Sequence, residues 1–111
     1  MHVPYDSPQL DITLDALASQ KRRAIVHHLS LQPATVGQLA YFCDLSLPAI
    51  HKHIRTLENA QLIVRKKVGR TNFVALNPAT LGLAQNWVMQ YHPEWGNANA
   101  SLENYISKMQ E

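Results

Sequence analysis

A chain of 111 residues, 46% apolar and 16% charged, is long enough for one modest core and carries no acidic or basic block of the kind that stays unfolded. Its single cysteine, Cys43, excludes an internal disulfide and a Cys-x-x-Cys zinc site, and with no run of about 18 apolar residues a membrane-spanning helix is not expected. The net charge of +2 hides an uneven distribution: residues 46–76 hold Lys52, Arg55, Arg65, Lys66, Lys67 and Arg70, six of the ten cations, with Glu58 the only acid.

Such a cluster is either a solvated face or the electrostatic footprint of a polyanion, and the placement of the charges decides which. Residues 1–8 lack a charged start followed by an apolar run, so a cytoplasmic location is expected, with both chain ends loose.

Ser7 followed by Pro8 predicts a helix start, and Leu10, Leu14 and Leu17 recur at helical spacing to about Ala18. A second helix is expected over residues 20–31, with Ala24, Ile25, Val26 and Leu29 inward and Lys21, Arg22 and Arg23 in its first turn, ended by Pro33. Thr35 caps a short third helix whose inward set is Leu39, Phe42 and Cys43.

Ser46 caps a fourth helix with Pro48 in its first turn, where a missing N–H costs nothing. At about 100° per residue, Ile50, Ile54 and Leu57 share one arc with His53 at its edge, while Pro48, Lys52, Arg55 and Asn59 lie opposite, flanked by Ala49, His51 and Thr56. Residues 62–76, rich in β-branched side chains, then predict a hairpin about a Gly69-Arg70-Thr71-Asn72 turn that carries Arg65, Lys66, Lys67 and Arg70. Asn77-Pro78 restarts a helix through Leu81, Ala84, Trp87, Val88 and Tyr91. Pro93 and Gly96 interrupt it, and Leu102, Tyr105, Ile106 and Met109 mark a last amphipathic helix.

This order is mainly α with a two-stranded β-wing, that of a winged helix-turn-helix over residues 1–111. The helix-turn-helix occupies residues 34–59, the wing 62–76, and dimerisation helices 1–18 and 78–111. The stretches LDALASQKRRAIVHHL (14–29), ATVGQLAYFCDLSLPAIHKHIRTLENAQLI (34–63) and VRKKVGRTNFVALNP (64–78) together resemble the ArsR family of winged-helix repressors. The C-terminal tail is similar to that family's metal-independent autorepressor branch. Three departures stand out. Gln61 occupies the glycine position after the recognition helix, where a positive φ carries a penalty of about 1 kcal/mol. His51 replaces a frequent serine, and Leu47 replaces a polar residue beside the cap.

The resemblance implies a homodimeric repressor on double-stranded DNA, with an imperfect palindrome as operator. In helix-turn-helix docking the second helix enters the major groove. Lys52 or Arg55 can then donate to guanine, His51, Thr56 and Asn59 can read donors or acceptors, and Leu47 and Ala49 can touch a thymine methyl. Ser46, Arg22, Arg65, Lys66, Lys67 and Arg70 are the candidates for phosphate or minor-groove contact. For Arg22 an internal salt bridge competes with that role, and His53 is expected to be packed and hydrogen-bonded. Trp87, Tyr91, Trp95 and Tyr105, half of the eight aromatics, are assigned with Leu10, Leu14, Leu17, Leu102 and Ile106 to the interface with a two-fold mate. A small-molecule pocket among these aromatics is the rival use.

The family's familiar metal sites have no counterpart. Thr35 and Gly37 stand at the thiolate positions, and residues 78–91 contain no His, Asp, Glu or Cys. His27-His28 and His51-x-His53 lack the i,i+4 spacing that one-face chelation needs. No metal or cofactor is therefore expected, and neither is an enzyme, since no phosphate-cradling glycine loop or catalytic constellation occurs. Cys43, continuing the inward face of its helix, reads as a buried inert thiol, with a thiol switch as the alternative. A winged-helix protein-interaction module is the remaining rival.

Overall fold

A computed structural model describes residues 2–91 and 97–111. The chain runs α1 (Pro8–Leu17), α2 (Gln20–Leu31), β1 (Ala34–Thr35), α3 (Val36–Phe42), α4 (Leu47–Asn59), β2 (Ile63–Val68), β3 (Thr71–Leu76), α5 (Pro78–Met89) and α6 (Ala98–Met109). Side chains at the helix starts explain where these elements begin. Ser7, Ser19, Ser46 and Asn97 each accept a hydrogen bond from a backbone N–H in the first turn. Thr35 and Gln38 form a reciprocal capping box that starts α3.

The helix-turn-helix ends are closed by the same device twice. Leu45 N–H donates to the Ala40 carbonyl and Asp44 N–H to Tyr41; seventeen residues on, Leu62 N–H donates to Leu57 and Gln61 N–H to Glu58. Both are Schellman closures, which need a left-handed residue after the cap. Here those residues are Asp44 (φ 52) and Gln61 (φ 60) rather than glycine. The positive φ expected at Gln61 is present, and its carbonyl is held by Asn77 Nδ2 at 3.0 Å and by the Thr80 hydroxyl.

The core lies between α2, α3, α4 and one face of the sheet. Ile25, Leu39, Ile50, Ile54, Leu57 and Leu62 are wholly buried there. The inward arc assigned to α4 is thus its core face. The wing hairpin is present with two-residue turn Gly69-Arg70, so Thr71 and Asn72 belong to β3 rather than to the turn. A two-residue strand, β1, extends the sheet to the order β1-β3-β2, pairing Ala34 with Val74 and Thr35 with Phe73. Its shortness hid it from any periodicity.

Two packing expectations change. Phe42 is 50% exposed and stacks on His28 at 4.8 Å, because α3 ends there and the Schellman turn carries Cys43 and Leu45 inward instead. The N-terminal segment is not loose: Val3 is buried, and its N–H and carbonyl are both engaged by the Gln90 side-chain amide at the end of α5.

Candidate nucleic-acid interface

The polar arc of α4 faces outward. Ser46, Leu47, Lys52, Arg55 and Asn59 are exposed, Ala49, His51 and Thr56 are half-buried, and Ile50, Ile54 and Leu57 hold the opposite side in the core. Thr56 also donates its hydroxyl to the Lys52 carbonyl one turn back, at 3.2 Å, which leaves its oxygen free to accept. A shallow cleft at the start of this helix is lined by Thr35, Val36, Gly37, Leu47, His51, Arg70, Thr71 and Asn72. The first turns of α3 and α4 and the tip of the wing therefore open onto one surface.

The strand register sorts the wing cations. Arg65 stands opposite the buried Val74 and Lys67 opposite Asn72, so both leave the inner face of the sheet, whereas Lys66, opposite Phe73, leaves the outer face with Val64 and Ala75. Lys66, Lys67 and Arg70 are exposed. Among the described residues, none of these three, nor Lys52 or Arg55, forms an ion pair or side-chain hydrogen bond.

Two arginines depart from the expected roles. Arg22 directs its guanidinium inward: Nε donates to the Ala16 carbonyl at 2.6 Å, one terminal nitrogen to the Asp15 carbonyl at 3.2 Å, and the other meets His53 Nδ1 at 3.4 Å. It caps the end of α1 and braces α4, so its internal tie is made to backbone carbonyls and a histidine rather than through a salt bridge, and three of its five N–H donors are engaged within the chain. Arg65 makes a forked pair with Glu58 of α4, at 2.8 and 3.3 Å, the one salt bridge among the described residues. In sequence Arg65 looks free and Arg22 reads as either a phosphate ligand or a salt-bridge partner, because carbonyl and carboxylate partners are set by tertiary proximity.

His53 is packed as expected. Burial, aided by the positive charges of Arg22, Lys52 and Lys21, lowers its pKa, so the neutral ring accepts from Arg22 through Nδ1. Cys43 is 4% exposed, and burial raises its pKa against the opposing pull of Lys21, whose ammonium donates to the Cys43 carbonyl at 2.7 Å. The thiol is thereby held neutral and covered. Among the described residues no three His, Cys, Asp or Glu side chains gather as a metal site.

The residues assigned to a mate divide. Leu10 is 1% exposed within the chain itself and so cannot lie in an interface; Leu17 packs against the core. Leu14, Tyr91, Leu102, Tyr105 and Ile106 are exposed, joined by Ile12, Val88, Met89 and Met109, which the sequence reading did not assign. Trp87 is half-buried, edge-on to Tyr91 at 5.2 Å, with an indole N–H that is buried and without a hydrogen-bond partner. Trp95 lies outside the described residues. No residue of α6 is buried.

Comparison with known proteins agrees with this geometry. A helix-turn-helix domain family model matches residues 17–66, from the end of α1 into β2. The HTH-type transcriptional regulator Rv2034 of Mycobacterium tuberculosis is 38% identical over 77 residues, 69% of this chain and 70% of that protein. The transcriptional repressor SdpR of Bacillus subtilis is 28% identical over 76 residues, 68% of this chain and 84% of its own. The crystal structure of an ArsR family transcriptional regulator superposes with a TM-score of 0.73 at 35% identity, covering 80% of this chain and 91% of that one. The chain belongs to the ArsR family of winged helix-turn-helix transcriptional regulators, a family of DNA-binding proteins and not of enzymes.

Proposed function

We propose that the protein is a dimeric cytoplasmic repressor that holds an imperfect DNA palindrome, each α4 lying in a major groove and each wing on the flanking backbone. The observation that carries this reading is the shared surface: Leu47 and His51 of α4 and the wing-tip Arg70 line one open cleft with no acid among its lining residues, and the same helix holds Lys52 and Arg55 exposed and unpaired. Arg55, with its planar fork, reads guanine; Lys52, His51, Thr56, Leu47 and Ala49 contact neighbouring base edges; Ser46, Lys66, Lys67 and Arg70 contact phosphates.

The mate is supported by α6. A helix of 12 residues is marginal alone in water, yet this one shows Leu102, Tyr105, Ile106 and Met109 to solvent. A second copy covering these residues with Leu14, Val88 and Tyr91 gives the helix its partner and sets two α4 helices one turn of DNA apart, about 34 Å. Repression is the activity named for SdpR.

The test is fluorescence anisotropy with a duplex selected by the wild-type protein from a randomised pool. Changing Lys52 and Arg55 together to alanine abolishes preference for the selected duplex over a random one while leaving the melting curve intact. Retained preference would refute the assignment of the groove face.

A further inference from the structure

The sequence presents Arg65, Lys66 and Lys67 as one basic run, but only two of the three are free. Arg65 leaves the inner face of β2 opposite Val74, reaches the last turn of α4, and closes on Glu58 with both arms of its fork. The pair is only partly covered, Arg65 at 27% and Glu58 at 35% side-chain exposure. It joins the proposed reading helix to the strand that carries the wing, at the point where the hairpin leaves the body. Beyond it β2 is the edge of the sheet, with no further side-chain ion pair to the body among the described residues.

We infer that Glu58 and Arg65 are positioning residues for DNA recognition: their ion pair fixes the angle of the wing against α4, and Arg65 does not contact phosphate. The inference rests on the groove-and-wing reading above. From Arg65 to the Gly69-Arg70 turn is four residues, about 13 Å of strand, so a rotation of about 15° at the base displaces the tip by about 3 Å, a full hydrogen-bond length. Wing and reading helix can engage one duplex together only if that angle is held. An acid in this place is otherwise unfavourable, since Glu58 is the one carboxylate in a segment facing a polyanion. Its presence is explained by the bond it makes.

The test compares wild type, Glu58→Gln, Arg65→Gln and the exchanged pair Glu58→Arg with Arg65→Glu, using the full chain, the selected duplex and a random-sequence duplex over a range of salt. Glu58→Gln is isosteric and keeps an acceptor, so it preserves the fold. Although it removes a negative charge, it is expected to weaken the selected duplex about three- to fivefold, the scale of a part-exposed ion pair, without weakening the random duplex. Arg65→Gln is expected to leave the salt slope of binding at its wild-type value, and the exchanged pair to restore preference for the selected duplex. Equal or tighter binding of the selected duplex by Glu58→Gln, or a slope reduced by about 0.9 in Arg65→Gln, as for a lost phosphate contact, overturns the inference alone. A wild-type protein that selects no duplex overturns the DNA reading and this inference with it.

Discussion

Replacing Gln61 with glycine isolates the cost of the backbone turn that follows the recognition helix. Gln61 sits at φ 60, its side chain is exposed and forms no hydrogen bond, and the bonds that fix the site all use its backbone. The substitution therefore removes no contact. A non-glycine residue in the left-handed region costs roughly 1–2 kcal/mol, because Cβ crowds the carbonyl oxygen. Glycine returns roughly 0.5–1 kcal/mol of that as extra unfolded-state entropy. The net expectation is a gain of about 0.5–1 kcal/mol, or a rise in Tm of about 2–6 °C. Thermal melts at fixed protomer concentration and urea midpoints with unchanged m measure it. Asp44→Gly is expected to gain less, since aspartate tolerates φ near 52 better than glutamine does. A lowered Tm in Gln61→Gly would refute the reasoning, and would mean that the glutamine side chain stabilises the junction.

The lowered pKa of His53 implies that the unfolded chain binds this proton more readily than the folded one below about pH 6.5. Its contribution to stability is thus full above that pH and is lost as pH falls through the folded value; urea titrations at stepped pH should show a shallower acid loss in His53→Gln than in wild type. Iodoacetamide should label Cys43 slowly in the native protein and rapidly in urea, as its burial requires. Gln90→Ala removes both bonds that hold Val3, and is expected to cost about 1–2 kcal/mol in urea unfolding and to open the N-terminal amides to hydrogen exchange. Changing Lys66, Lys67 and Arg70 together to alanine should weaken selected and random duplexes alike and flatten the salt slope by about 2 to 3.

The elements were legible in the sequence because local rules and packing agree in them. Ser46, Pro48 and the Ile50, Ile54, Leu57 stripe place α4 within a residue of its observed start and put its cations on the outside. Gly69 marks the hairpin, and the Asn77-Pro78 pair marks the start of α5. What the sequence did not disclose depends on distance through space. Arg65 reads as a free cation, and Arg22 as a phosphate ligand or a salt-bridge partner, because their actual partners, Glu58 and the end of α1, come near only when the core forms. Leu10 and Leu14 share one helical stripe, yet one is enclosed by the chain's own packing and the other is left outside. Phe42 continued the periodicity of α3 by one residue too many, since the helix turns left-handed two residues later, at Asp44. The two-residue β1 carries no pattern that a sequence could show.

The central claim, that the outward arc of α4 reads base edges while the wing holds the backbone, is tested most directly by the ratio of affinities for the selected and random duplexes in the Lys52→Ala, Arg55→Ala protein. The ratio should fall to near one with folding unchanged. An undiminished ratio in a folded protein would place sequence recognition elsewhere in the molecule.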